Sequence, residues 1–277
     1  MGGDLFVYPT KSLEDLGSAC AMYYRKNNNV IIMGGDGSFS KGVHAIAQDN
    51  NFKPLSRPIG LILNGTGNSY LRHFHIKSTR QSLEYLIKGI KTGKSLVSDS
   101  GLLTIDNGSG VKKLVFINFI GFGLVPEISR LGKKMYCFGK LSYILAALVK
   151  LATHKPYTFT IQFRQKIRTI LADFIFIANT SYAGGAMKVA PGVQANDGRL
   201  MLLFPQIYNR IRLFALFPKI FSGKHIQNTR VKQEMIQELA FKTDAEIVMD
   251  IDGDQISGIN PSIKVIPGMF RFYFGEL

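Results

Sequence analysis

Residues 31–42 read IIMGGDGSFSKG and join a short apolar run to a glycine-rich segment that holds an acidic residue. The run VIIM is typical of a strand buried in a parallel sheet, and apolar residues recur at helical spacing after the glycines. The pattern returns at 59–63, where IGLIL precedes a second glycine loop, NGTGN, at 64–68. Strands that alternate with helices predict a three-layer α/β domain with a parallel sheet, which we assign to residues 1–95.

The sequence around the loops predicts further helices and one more strand in this domain. SLEDLGSACAMYY, at 12–24, places its apolar residues on one helical face. Ser78 and Gln81 form a capping box before another amphipathic helix. LFVYPT, at 5–10, is interpreted as a strand that ends at Thr10.

From about residue 96 the chain changes to strand-like segments that are rich in β-branched and aromatic residues. They are LLTID, KKLVFINF, YTFTIQF, RTILADFIFIAN, GRLMLLF, AEIVMDIDG and SIKVIPGMFRFYF. One helical insertion, from about Leu141 to Ala152, interrupts them. Residues 96–277 are therefore predicted to form a mostly antiparallel β-sandwich domain.

The charge balance favours anionic partners. Lys and Arg number 34 against 19 Asp and Glu, a formal charge of +15, which attracts nucleic acid, nucleotide phosphates or an anionic bilayer. The lysines are scattered rather than clustered with aromatic residues, so we expect no nucleic-acid partner.

The sequence predicts a cytoplasmic protein, and peripheral binding to the inner face of the membrane is compatible with it. The two cysteines have no metal-type spacing, and a reducing compartment is the simpler interpretation. No apolar run approaches the roughly 20 residues that a membrane span needs. The opening MGGDLF does not resemble a signal peptide.

The two glycine loops are candidates for phosphate binding. Each follows a predicted parallel strand and precedes a helix, so both are expected at the sheet edge where α/β sheets bind ligands. Glycines there let backbone N–H groups approach phosphate oxygens, and the helix N-terminus adds a partial positive charge. A turn without a ligand is the alternative for either loop alone. Both loops lack the third glycine of G-x-G-x-x-G, which leaves a dinucleotide fold unsupported.

The order of several motifs resembles one known family. GGDGS and LNGTGNS, with later segments of the chain, resemble the diacylglycerol kinase catalytic-domain family, which includes sphingosine kinases and bacterial lipid kinases. The later segments are NFIGFGL, IANTSYAGGAMKVAPGVQANDGRLML, MDIDGD and IKVIPGMFRFYF. The resemblance covers nearly the whole chain.

This resemblance implies an ATP site in a cleft between the α/β domain and the β-sandwich domain, with the last residues of the chain returning to the first domain. The implied nucleotide-binding residues are Thr10, Gly34, Gly35, Asp36, Gly37, Ser38, Gly65, Thr66, Gly67 and Asn68. For Thr10 the alternative is an ordinary turn residue after a strand.

The resemblance also implies catalytic carboxylates. Asp252 and Asp254 match the family's Asp-Gly-Glu signature, whose carboxylates are expected to help deprotonate the lipid hydroxyl and to organise Mg²⁺. Phosphoryl transfer needs such groups because it depends on positioning, charge neutralisation and an acceptor for the alcohol proton. Asp-Gly is also a favoured hairpin pair, so a plain β-turn is the alternative.

A structural metal site is implied in NDGRL, where Asp197 would act with the backbone carbonyls of Gln194 and Arg199. An Asp-Gly turn is again the alternative. The histidines show no ligand-like spacing and are interpreted as surface or packing residues.

Three departures from the family pattern bear on function. The family's opening strand, with its Asn-Pro and glycine loop, has no counterpart because the chain begins after that point; a truncated sequence, a misassigned start or impaired ATP binding would each fit. Asp254 is one methylene shorter than the usual Glu, so a bound water is an option for proton transfer. Ser69 stands where many bacterial diacylglycerol kinases have Asp, which leaves the lipid open.

The whole sequence predicts an ATP- and Mg²⁺-dependent lipid kinase that phosphorylates a hydroxyl of diacylglycerol, a sphingoid base or a related lipid at a membrane surface. The helix at 141–152, followed by His154 and Lys155, is a candidate for membrane contact, with a core helix as the alternative. The chain is also a candidate for homodimer formation. A NAD-kinase-like phosphotransferase and a catalytically inactive lipid- or nucleotide-binding module are the competing hypotheses.

Overall fold

The computed structural model describes residues 4–65, 67–153, 155–207 and 209–275. The α-helices are α1 (Leu13–Arg25), α2 (Asp36–Asp49), α3 (Ser69–His73), α4 (Thr79–Thr92), α5 (Leu124–Lys134), α6 (Ser142–Thr153), α7 (Arg210–Leu216) and α8 (Lys219–Ser222). Short 3₁₀ helices span Tyr136–Leu141 and Lys224–Gln227. The strands are β1 (Ile31–Gly34), β2 (Gly60–Leu63), β3 (Ser95–Asp106), β4 (Val111–Phe116), β5 (Phe119–Gly123), β6 (Tyr157–Phe163), β7 (Lys166–Ala172), β8 (Phe174–Ala178), β9 (Leu200–Pro205), β10 (Val231–Ile236), β11 (Glu238–Lys242), β12 (Ile247–Ile251) and β13 (Asp254–Tyr273).

The N-terminal part of the chain is an α/β unit built around two parallel strands. β1 pairs with β2, with Ile32 opposite Leu61. Ser12 and Ser78 cap α1 and α4, because each hydroxyl accepts a hydrogen bond from the N–H three residues later. Buried side chains of α1, α2, α3 and both strands form one hydrophobic core. The predicted parallel α/β domain is confirmed.

The prediction of a strand at LFVYPT is wrong. Residues 4–10 have no regular secondary structure, and Leu5 is 82% exposed. A run of β-branched and aromatic residues favours a strand, but a strand also needs a neighbour for its ladder hydrogen bonds. The segment instead packs against α1, where the rings of Phe6 and Tyr8 lie near the ring of Tyr23.

The later strands form an antiparallel sheet in the order β10-β9-β8-β5-β12-β13-β11-β6-β7, with β3 paired to both β13 and β4. Shifts in register between Ile259 and Ser262 and between Ile266 and Phe270 mark irregularities along β13. The facing side chains of these strands bury a second hydrophobic core. The predicted antiparallel β-sandwich domain is confirmed.

The end of β13 contacts the first unit. Phe272 bridges Ile59 in parallel, and the N–H of Tyr273 donates to the carbonyl oxygen of Ile59 at 3.0 Å. Phe270 and Phe272 belong to the hydrophobic core of the α/β unit. One strand therefore joins the two halves and fixes the cleft between them.

The predicted helical insertion is present as α6, but the chain also forms α5, α7 and α8, which the sequence pattern did not predict. α5 lies on β5 because Gly121 has no side chain: a Cβ there would be 2.4 Å from the side chain of Val125. In the part of the chain that the structure describes, every helix is too short or too polar to cross a bilayer.

Candidate active site

The two predicted glycine loops touch each other. A Cβ on Gly65 would lie 2.4 Å from the Cα of Gly35, and a Cβ on Gly35 would lie 3.1 Å from the Cα of Gly65. Both clashes involve backbone atoms, which cannot rotate away. Glycine is therefore required for the loops to meet; Thr66, in the second loop, is outside the described residues.

The first loop opens directly into the N-terminus of α2. Gly35 is the N-cap residue and offers no side chain to cap the helix. A Cβ on Gly37 would face open space, and the residue lines a cavity. The Ser38 side chain packs against the end of β1, because a Cβ on Gly34 would be 2.5 Å from the Ser38 Oγ. The helix N-terminus thus faces the cavity with room for an anion.

Asp36 joins the two loops through hydrogen bonds. Its Oδ2 accepts from the N–H of Ser69 at 2.8 Å, and its Oδ1 accepts from the N–H of Tyr70 at 3.0 Å. These bonds cap α3, because its own N-cap residue, Asn68, is left-handed (φ 54°) and makes no capping bond. The Asn68 side-chain N–H donates to the carbonyl oxygen of Gly65. Gly67 leaves space for the Asp36 carboxylate, since a Cβ there would be 3.1 Å from its Oδ2.

The β-sandwich contributes a third glycine turn to this junction. Gly185 has φ +84°, and its N–H donates to the Ser69 hydroxyl at 3.2 Å. A Cβ on Gly185 would lie 3.2 Å from the Cα of Gly67. His73 Nδ1 accepts from the N–H of Ser181 at 3.2 Å, and burial lowers the pKa of His73 to about 4, which keeps the ring neutral. The two halves of the protein therefore meet at the glycine loops.

Asp252 holds the turn between β12 and β13 against the rest of the junction. Its carboxylate accepts four hydrogen bonds, from the N–H groups of Ile117 (2.8 Å), Asn118 (2.9 Å) and Phe119 (3.0 Å) and from the Ser40 hydroxyl (2.9 Å). The residue is partly exposed, but its carboxylate is enclosed. Burial raises the pKa of the carboxylate to about 6, although the four hydrogen bonds lower it. Its backbone is left-handed, with φ 52°. The carboxylate thus links α2, the residues before β5 and the turn.

Asp250 and Asp254 lie two residues before and after Asp252 and differ in their exposure to solvent. The Asp254 side chain is 68% exposed, and Lys133 donates to its Oδ1 at 3.1 Å. Asp250 is 1% exposed; its Oδ1 accepts from the N–H of Gly253 at 2.9 Å. Burial raises the pKa of Asp250 to about 6, although the Ser129 hydroxyl and the Gly253 N–H lower it. Asp250 was not predicted from the sequence.

These groups open onto one cavity of about 580 Å³. One end is polar and contains Asp36, Asp250, Asp252, Asp254 and Lys133 together with the glycine loops. The other end is apolar and lies between α5, α6, α7 and β8. Its walls include Leu124, Ile128, Leu151, Phe174, Leu213 and Phe217.

The remaining predicted residues lie elsewhere. Thr10 is exposed in the irregular segment before α1. Asp197 is exposed and accepts a hydrogen bond from the N–H of Arg199 at 3.0 Å, and the side chains of Gln194 and Arg199 are exposed as well. Within the described ranges, no three His, Cys, Asp or Glu side chains are close enough to hold a metal ion. The structural metal site remains a prediction that needs backbone carbonyls.

Comparisons with known proteins identify both halves of the chain. Residues 3–101 match the model of the diacylglycerol kinase catalytic domain, and residues 120–274 match that of the YegS C-terminal NAD kinase beta sandwich-like domain. A diacylglycerol kinase of Mycobacterium tuberculosis (strain CDC 1551 / Oshkosh) is 26% identical over 252 residues, which is 87% of this chain and 75% of the relative. A diacylglycerol kinase of Staphylococcus aureus (strain JH9) is 23% identical over 257 residues, with 91% and 76% covered.

A solved structure shares the fold. The crystal structure of a diacylglycerol kinase from Bacillus anthracis str. Sterne superposes with a TM-score of 0.67 at 17% sequence identity, and the match covers 96% of this chain and 83% of that one. Both domain models match in the order in which the two halves occur, and the second alone covers more than half of the chain. The chain belongs to the diacylglycerol kinase family, in which a diacylglycerol kinase catalytic domain is followed by a YegS-type beta sandwich-like domain.

Proposed function

We propose that the protein is an ATP- and Mg²⁺-dependent lipid kinase that transfers the γ-phosphate of ATP to a hydroxyl group of a lipid. The observation that carries this proposal is a continuous cavity with a helix N-terminus and carboxylates at one end and an apolar pocket at the other. A kinase for a long-chain alcohol needs both ends within reach of one reacting hydroxyl.

The polar end fits the phosphates of a nucleotide. The uncapped N-terminus of α2 supplies N–H donors, and Gly37 leaves the approach to them open. The loop residues 34–38 and 65–68 would hold the phosphates. Mg²⁺ commonly keeps water and phosphate oxygens and takes only one or two protein carboxylates, so Asp36 and Asp254, which line the cavity, would hold it together with the phosphates. The bound ion would neutralise charge on the transferred phosphoryl group.

Two carboxylates at the β12–β13 turn, Asp252 and Asp254, support different roles. Asp254 has exposed carboxylate oxygens and can accept the proton of the lipid hydroxyl, directly or through a water. Asp252 already accepts four hydrogen bonds and therefore serves best as the residue that fixes the turn. Lys133 can pair with the phosphoryl group or restrain Asp254.

The apolar end supports a lipid as the phosphate acceptor. Helices α5, α6 and α7 surround it with aliphatic and aromatic side chains, and each buried methylene of an acyl chain would contribute about 0.8 kcal/mol. A soluble acceptor such as NAD would leave these walls facing water. This difference favours a lipid kinase over a NAD-kinase-like phosphotransferase.

The helical side of the protein also supports contact with a membrane. Leu141, Val149 and Ile211 are 57%, 50% and 79% exposed, and Arg210 links α7 to α6 through a bond to the carbonyl oxygen of Ala152 at 3.0 Å. Apolar residues on a chain with a formal charge of +15 fit peripheral binding to an anionic bilayer. His154, predicted to follow the contact helix, is outside the described residues.

A transfer assay tests the proposal. Radiolabelled ATP is supplied with Mg²⁺ and a panel of diacylglycerol, sphingoid base and NAD, and the labelled product is identified. We expect labelled lipid, with activity lowered at least about 100-fold in Asp254→Asn and unchanged in Asp244→Asn, an exposed aspartate in the β11–β12 loop. Transfer to NAD alone, or to no acceptor although the protein is folded, would contradict the assignment.

A further inference from the structure

Asp250 is a buried carboxylate that the rest of the protein satisfies only in part: its Oδ1 accepts from the N–H of Gly253, and the nearby Ser129 hydroxyl lowers its pKa. It lies in β12 between Met249 and Ile251, whose side chains belong to the sandwich core, so its own side chain projects from the opposite face of the strand. Its Oδ2 is fully buried and has no hydrogen-bond partner among the described residues.

The nearby donors that could reach Oδ2 have other partners. Helix α5 covers the strand, and the Ser129 hydroxyl, which lies beside the carboxylate, hydrogen bonds to the carbonyl oxygen of Gly253 at 3.4 Å. Lys133, one turn later, pairs with Asp254 instead. Asp250 nevertheless lines the cavity, at the polar end. A buried acceptor left without a donor is costly, which points to a donor that arrives with the ligand.

We propose that Asp250 selects the lipid by accepting a hydrogen bond from a second donor group, a hydroxyl or an ammonium, on the carbon next to the phosphorylated hydroxymethyl group. This inference rests on the proposed lipid kinase function. A monoacylglycerol offers such a hydroxyl and a sphingoid base offers such an ammonium, whereas a 1,2-diacylglycerol presents only ester oxygens there. An ester oxygen cannot satisfy a carboxylate oxygen, since both are acceptors.

The position of Asp250 fits this role better than a role in proton transfer. The Asp254 side chain is 68% exposed, whereas Asp250 is enclosed beneath α5. A lipid that extends its chain into the apolar end and its hydroxyl toward Asp254 would bring the neighbouring carbon past Asp250. Asp250 would then bind the ligand without exchanging a proton with the reacting oxygen.

The test compares soluble lipids that differ in the group on this carbon, an ester, a hydroxyl or an ammonium: 1,2-dioctanoylglycerol, 1-monooctanoylglycerol and a sphingoid base of eight carbons. Dissociation constants are measured by calorimetry, and kcat/KM for phosphate transfer is measured in parallel. We expect the wild-type protein to prefer at least one donor-bearing lipid over dioctanoylglycerol by about 10- to 100-fold. Comparison of the sphingoid base with monooctanoylglycerol shows whether Asp250 binds the ammonium or the hydroxyl.

The variant Asp250→Asn keeps the shape of the side chain but can donate to an ester oxygen, and it should lose this preference in both measurements. Asp244→Asn removes an exposed carboxylate and should keep it, while thermal unfolding shows that each variant is folded. An unchanged preference in Asp250→Asn, or no preference in the wild type, would overturn the role of Asp250. Lipid preference in binding without any phosphate transfer would contradict the kinase proposal alone.

Discussion

The two ends of the cavity are built in different ways. The polar end is held by backbone contacts, with glycine against glycine at Gly35 and Gly65 and four hydrogen bonds on Asp252. The apolar end is formed by side chains of α5, α6 and α7, which belong to one hydrophobic cluster. Reacting atoms need fixed positions, whereas an acyl chain needs a surface that adapts. Substitutions at the two ends should therefore impair the protein in different ways: loss of stability at the polar end and loss of lipid binding at the apolar end.

The largest expected effect is a loss of folding stability at the loop junction. In Gly65→Ala the added Cβ meets the backbone of Gly35, so we expect the free energy of unfolding to fall by about 3 kcal/mol and kinase activity to fall with it. Denaturant unfolding measures the change. Gly37→Ala is the matched control, because its Cβ faces open space and should leave stability within about 0.5 kcal/mol. Equal stability of both variants would show that the loops do not need to touch.

A smaller effect is expected at the turn that Asp252 holds. Asp252→Asn replaces one acceptor oxygen by an N–H group that faces existing donors, so we expect a loss of about 2 kcal/mol in the free energy of unfolding. Asp254→Asn changes an exposed side chain and should alter stability by less than about 0.5 kcal/mol while it lowers activity. If Asp252→Asn were stable but inactive, Asp252 would act in the chemistry rather than in positioning.

The smallest effect concerns pH at the contact between the two halves. The pKa of His73 is lowered to about 4 by burial, whereas an unfolded histidine titrates near 6.5. The unfolded state therefore binds more protons between these values, and the stability due to neutral His73 is lost as the pH falls from about 6.5 to about 4.

The variant His73→Asn keeps an acceptor for the Ser181 N–H and should reduce this loss by on the order of 1 kcal/mol. Thermal unfolding from pH 4 to pH 7 measures it, with His75→Asn as the control, because this exposed neighbour lowers the pKa of His73 less than burial does. His44, whose pKa burial also lowers to about 4, contributes to the pH dependence of both proteins. An identical pH dependence in wild type and His73→Asn would mean that His73 is not the titrating group.

The sequence was informative where one local signal determines the structure. Alternating strands and helices predicted the α/β unit, and strand-like segments such as YTFTIQF predicted the sandwich. The glycine loops were expected to lie side by side, and Gly35 and Gly65 do so. These features depend on neighbouring residues in the chain, or on a sheet edge whose geometry is general.

The sequence was uninformative where a contact between distant segments decides. LFVYPT is rich in apolar and aromatic residues like a strand but pairs with no other strand among the described residues. α5 depends on Gly121 lying beneath it, and the burial of Asp250 depends on α5. The hydrogen bonds of Asp252 join residues more than 130 positions apart, so its turn pattern alone could not show them.

The most direct test of the central claim, one cavity with a nucleotide end and a lipid end, is a two-substrate rate measurement with a variant at each end. Gly37→Ala narrows the polar end, and Ala147→Phe fills the apolar end, where Ala147 lines the wall. We predict that Gly37→Ala raises KM for ATP with little change for a long-chain lipid, and that Ala147→Phe raises KM for the long-chain lipid while ATP and an eight-carbon lipid are little affected. Unchanged KM for the long-chain lipid in a folded Ala147→Phe variant would contradict the account.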